Sequence, residues 1–158
     1  MSMTDPHPPE VFELLRRQGP KTRIAVAGAS ANPEKYGNII VRNLKQKGYR
    51  VLPLNPKESE IEGLEVAHSL AELEKPVDIL VVVTPPSASL KLLQDAAAQG
   101  FGAVWLQDGS FDDAVLRSVG RVHDARTARE AVGIARASGV PGVSLDLLFA
   151  IPGQGLAT

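Results

Sequence analysis

The sequence predicts an α/β protein, a doubly wound parallel sheet of about five strands with helices on both faces, formed by a single domain over residues 1–158. Three observations predict it. Strand-like apolar segments alternate with amphipathic helical segments along the chain. Residues 77–83 form an apolar run, as expected of a strand buried on both faces of a parallel sheet. Residues 24–57 fit a strand, a glycine-bounded loop, a helix and a second strand into the length of one βαβ unit. The architecture these imply is Rossmann-like.

Each element has its own signals. Glu10–Gln18 reads as a short amphipathic helix with Val11, Leu14 and Leu15 on one face, ended by Gly19-Pro20. The strand Thr22–Ala27 runs into Gly28-Ala29-Ser30, Asn32-Pro33 and Tyr36-Gly37. A helix follows, with Ile39, Ile40 and Leu44 at helical spacing and Gly48 as its stop. The second strand, Tyr49–Leu54, leads to Asn55-Pro56-Lys57. Ser69–Glu74 predicts a brief helix capped by Ser69 and stopped by Pro76, before the strand Val77–Val83. Ser87–Gln99 predicts a helix capped by Ser87, with Leu90, Leu93, Ala96 and Ala97 inward and Gly100 at its end. Gly102–Leu106 is the fourth strand. Phe111–Ser138 has length for two helical segments broken near Gly120-Arg121, made basic by Arg121, Arg126, Arg129 and Arg136. The last strand is Gly142–Leu147, and residues 151–155 read as coil. The connectivity predicts the sheet order 3-2-1-4-5, with a ligand beyond the carboxyl ends of the strands near the switch between the first and fourth.

Composition narrows the function classes. The apolar fraction of 44% is that of an ordinary globular chain, and the longest apolar run is far short of a membrane span. A net charge of −1 gives no footprint for nucleic acid or a membrane surface. With no cysteine, disulfides, thiolate metal sites and a cysteine nucleophile are excluded. Residues 1–9 read as a loose, proline-rich lead-in without the design of a signal peptide, which predicts a cytoplasmic location. His7, His68 and His123 share no metal-ligand spacing, and Asp108, Asp112 and Asp113 read as charges at the start of a helix. With no paired acid and base and no activated nucleophile, the expectation is binding without catalysis, with a homo-oligomer or an unidentified partner enzyme both open.

The candidate site follows from the strand ends. Gly28, Ala29 and Ser30 let a pyrophosphate approach the backbone; N–H groups toward Tyr36, Gly37 and Asn38 are its expected donors, with the Ser30 hydroxyl in support. The loop is longer than Gly-x-Gly-x-x-Gly, so the standard dinucleotide fingerprint is absent. A site for the ribose diol of NAD wants an acid at the end of the second strand, where this chain has Asn55, Pro56 and Lys57, and Glu58 one residue later. An ammonium there suits a ligand with an extra phosphate on its adenosine ribose: the 3′-phosphate of CoA or the 2′-phosphate of NADP. Thr84, Pro85 and Pro86 make a stiff wall suited to an adenine ring, while Gln107 ends the fourth strand beside the switch point and Trp105 packs in the core.

Taken in order, these motifs resemble the CoA-binding domain family: Gly28-Ala29-Ser30, Asn32-Pro33, Gly37, Gly48-Tyr49, Leu54-Asn55-Pro56-Lys57, Glu60-Ile61-Glu62-Gly63, Pro76-Val77-Asp78-Ile79, Thr84-Pro85-Pro86 and Val104-Trp105-Leu106-Gln107. The family includes stand-alone small domains and the first domain of succinyl-CoA synthetase α subunits and NDP-forming acyl-CoA synthetases. The resemblance covers residues 20–109. It implies coenzyme A or an acyl-CoA as ligand, with the adenosine contacted at Thr84–Pro86, and a carrier, a sensor or a subunit of a larger system as the role. An NADP-dependent reductase or a domain working with a separate synthetase chain is the alternative. The resemblance fails in the last third, where Asp146 is followed by Leu147 and Leu148 instead of the Arg-Cys of stand-alone members.

Overall fold

The computed structural model describes residues 21–109 and 125–147. Five parallel strands form the main sheet: β1 (Arg23–Ala27), β2 (Arg50–Leu54), β5 (Ile79–Val82), β6 (Ala103–Gly109) and β7 (Gly142–Leu147). Helices α1 (Tyr36–Gln46), α2 (Pro86–Ala98) and α3 (Ala125–Ala137) connect them. Between β2 and β5 the chain makes a small antiparallel hairpin, β3 (Glu60–Ile61) and β4 (Leu64–Glu65), and a 3₁₀ turn at Leu70–Glu72. The predicted segment Glu10–Gln18 and the first part of Phe111–Ser138 lie outside the described residues.

The sheet separates two apolar layers. On one face Ile24, Val26, Ile79, Val81 and Ala103 pack with Val41 of α1 and Ile61 of the hairpin. On the other, Ala25, Ala27, Leu80, Val82, Val104 and Leu106 meet Leu93 and Ala96 of α2 and Ala131 and Ala135 of α3. Alternation along each strand sends neighbouring residues to opposite layers, and the doubly wound fold follows because both layers are covered. Trp105, half-buried, packs on the α1 layer.

The sheet order differs from expectation. It is β2-β1-β5-β6-β7, which in order of main-sheet strands is 2-1-3-4-5 and not 3-2-1-4-5. Two sequence features account for it. All four residues of β5 are buried, which suits an interior position in the sheet. Pro53 lacks an N–H and suits the edge strand β2, where its carbonyl accepts from Ala67 N at 3.0 Å. The switch point therefore falls between β1 and β5, with the ligand expected beyond their carboxyl ends.

Two caps also differ. Ser87 lies inside the first turn of α2; the cap position is Pro85, and the end is tied by Ser89, whose Oγ lies 2.9 Å from Thr84 Oγ1 and 3.1 Å from the Thr84 carbonyl. Proline opens the helix because its missing N–H would have had no partner there. The segment after Ser69 is a 3₁₀ turn without a side-chain cap, and the Ser69 hydroxyl goes to Glu72 Oε1 at 3.3 Å.

Candidate functional site

Three chain reversals meet at the carboxyl edge of β1, β2 and β5. The first, after β1, is pressed between its neighbours. Gly28 has φ +85°, and a Cβ there would stand 2.9 Å from the Val83 carbonyl carbon. A Cβ on Gly37 would stand 2.1 Å from the Gly28 oxygen, so only glycine lets the start of α1 rest on this loop. Gly28 N–H donates to Leu54 O at 3.2 Å, joining the loop to the end of β2.

Side chains then fix the loop's path. Asn38, fully buried in the first turn of α1, donates through Nδ2 to Ser30 O at 2.8 Å and Glu62 Oε1 at 2.9 Å. Asn55 donates through Nδ2 to Ala29 O at 2.8 Å, while its Oδ1 accepts from the N–H of Lys57 at 2.8 Å and of Glu58 at 3.3 Å. Asn55 thus ties the second reversal to the first and shapes the turn that presents Lys57. Within the first loop, Ser30 Oγ accepts from Asn32 N at 3.2 Å and Asn32 Oδ1 from Glu34 N at 3.0 Å. Glu58 Oε2 accepts from Ala31 N at 2.6 Å. Among the described residues nothing accepts from the N–H groups of Ala29, Ser30 and Gly37.

This arrangement encloses a cleft of about 460 Å³, whose lining brings together Gly28, Ala29, Ser30, Tyr36, Gly37, Asn55, Lys57, Thr84 and Pro85 from the sequence reading. Lys35, Glu58 and Val83 line it too, without having been singled out as site residues. Pro56 lines a second cleft of about 430 Å³, which shares Gly28 and Thr84 with the first and is walled by Leu54, Ala88 and Leu92. His68, Ser69, Lys91 and Asp95 stand at the rim of that groove. Pro86 is the first residue of α2, and Gln107 lies in β6, the strand paired with β5.

The electrostatics are uneven. Lys35 and Lys57 are exposed and have no ion-pair partner among the described residues. Other lysines do have partners: Lys45 donates to Glu62 O at 2.6 Å and Lys91 pairs with Asp95 at 3.3 Å. Among the described residues, no group of three His, Cys, Asp or Glu side chains could hold a metal ion. No described helix is long and apolar enough to cross a membrane.

Sequence reasoning offered the Asn38 N–H to the phosphate, but in the structure it donates to Lys35 O at 3.0 Å, and what the reading missed is the bracing role of the Asn38 side chain. Its signal was position: a polar side chain one residue after the close-packed glycine falls on the buried side of α1. A parallel sheet with a cleft at its switch point, where backbone N–H groups have no acceptor among the described residues, has the architecture of the doubly wound ligand-binding domains. More specifically, residues 22–142 match the family model described as a CoA binding domain, and the chain belongs to that family.

Among relatives, the chain is 34% identical over 99 residues to an ADP-forming acetate–CoA ligase of Methanocaldococcus jannaschii, a match covering 62% of this chain and 14% of the ligase. It is 28% identical over 107 residues to the uncharacterized protein YneT of Bacillus subtilis, covering 68% of this chain and 77% of that one. Among solved structures, the Thermus thermophilus protein cell-free ID.343 superposes with a TM-score of 0.66 at 34% identity, covering 89% of this chain and 91% of the other.

Proposed function

We propose that this chain binds coenzyme A or an acyl-CoA and carries out no chemistry of its own. The observation that carries the reading is one cleft at the β1/β5 switch point lined by Ala29, Ser30 and Gly37, whose N–H groups have no acceptor among the described residues, and by Lys35 and Lys57, which have no ion-pair partner among those residues. Backbone N–H groups at a loop and helix start suit a pyrophosphate, and an ammonium suits a ribose phosphate. In the proposed pose the pyrophosphate lies against Gly28–Ser30 and the start of α1, beside Tyr36 and Gly37. Lys57 pairs with the 3′-phosphate, its turn held by Asn55. The adenine enters the apolar groove between Pro56 and Leu92, with Thr84, Pro85 and Pro86 along its edge, and the thiol end runs toward Gln107.

A second reading has a specific support. The relation to a ligase of which this chain spans about a seventh favours a domain that presents CoA to a separate catalytic chain. Both readings need the same ligand, so a calorimetric titration with CoA, dephospho-CoA and NADPH tests the shared claim. CoA binding that weakens on loss of the 3′-phosphate is the expected result. Heat with NADPH alone replaces the ligand, and silence with all three removes the binding role.

A further inference from the structure

We propose that Glu58 is an internal anion that holds the place of a ligand's phosphate on the loop after β1, setting a threshold that weakly held anions do not pass. The inference rests on the phosphate-binding reading of that loop. Ala29, Ser30 and Ala31 carry three successive N–H groups. The first two have no acceptor among the described residues, and the third is taken by Glu58 Oε2 at 2.6 Å. A carboxylate accepting from a backbone N–H makes a charge-assisted bond, stronger than a neutral one.

Successive Cα atoms stand about 3.8 Å apart, so an anion bound at Ser30 N–H lies within a few ångströms of this carboxylate. Like charges that close repel, and the ligand's phosphate must expel the carboxylate or tolerate it. Expulsion is local. The Glu58 backbone stays anchored, its N–H by Asn55 Oδ1 and its carbonyl 3.2 Å from His68 Nε2, while the side chain is held by a single exposed contact. The penalty is the same for every anion. Free phosphate or pyrophosphate has little besides the loop to offset it, whereas a nucleotide adds the Lys57 contact and the apolar groove. The geometry also separates Glu58 from the acid that reads a ribose diol in NAD sites, because its carboxylate is turned onto the first loop.

The test is Glu58→Gln, which keeps the shape and an accepting oxygen but removes the charge. CoA and inorganic pyrophosphate are titrated calorimetrically into both proteins at one ionic strength, with the Ala31 amide followed by NMR. We expect both ligands to bind the variant about tenfold more tightly, by similar factors, and the Ala31 amide resonance to shift in the ligand-free variant. If wild type binds CoA but the variant binds it equally or more weakly, the inference is overturned and the CoA reading stands. If neither protein binds CoA, the CoA reading falls. The inference then survives only if the variant gains pyrophosphate binding and the Ala31 resonance moves.

Discussion

Lys57 and Asn55 divide one task between them. The lysine presents a charge, and the asparagine side chain bonds to backbone, donating at 2.8 Å to Ala29 O and accepting at 2.8 and 3.3 Å from Lys57 N and Glu58 N. The sequence reading put both in the ligand's path, since Asn55-Pro56-Lys57 follows the strand directly. It could not show that Asn55 acts as a brace, because Ala29 lies 26 residues away in sequence. Asn55→Ala is therefore expected to weaken CoA binding even though the lysine is retained. Asn38 was less legible still: full burial with Nδ2 on Ser30 O depends on how closely α1 approaches the loop. Asn38→Ala removes two hydrogen bonds in a buried setting and should lower unfolding stability by about 1–3 kcal/mol in urea denaturation.

Among the elements, the start of α1 is the tightest fit. Gly37 sits where a side chain would strike the Gly28 carbonyl at 2.1 Å, backbone against backbone. Gly37→Ala should cost about 1–3 kcal/mol of stability, measured by urea denaturation, and weaken CoA binding as the loop is pushed out of place. The elements themselves were readable, because periodicity, glycine stops and the apolar run at β5 are local signals. The last strand falls on Gly142–Leu147, as the sequence predicts. Ser87 misled because a serine near a helix start is a common cap, whereas Pro85-Pro86 ended the strand connection and opened α2 without one. The 3₁₀ turn at Leu70–Glu72 reads as a short helix in the sequence because Ser69 stands just before it like a cap and Leu70 is apolar and buried.

At the scale of the whole molecule, the sheet order decides where the site lies. Placing β5 beside β1 moves the switch point next to Thr84 and Pro85 and brings them into the same cleft as Lys57. The order was present in the sequence, in the unbroken burial demanded by β5 and the proline in β2, but pairing between distant strands is a long-range property that local patterns do not state. The central strand also carries the core: Leu80, fully buried, lies in the α2–α3 layer, and Leu80→Ala should cost about 2–5 kcal/mol in the same denaturation assay. The central claim is that Lys57 reads a ribose phosphate of CoA. The most direct test is a double cycle, with CoA and dephospho-CoA each titrated into wild type and Lys57→Ala. The account predicts that the substitution weakens CoA about tenfold and leaves dephospho-CoA unchanged. Equal losses for both ligands, or no loss for either, would contradict it.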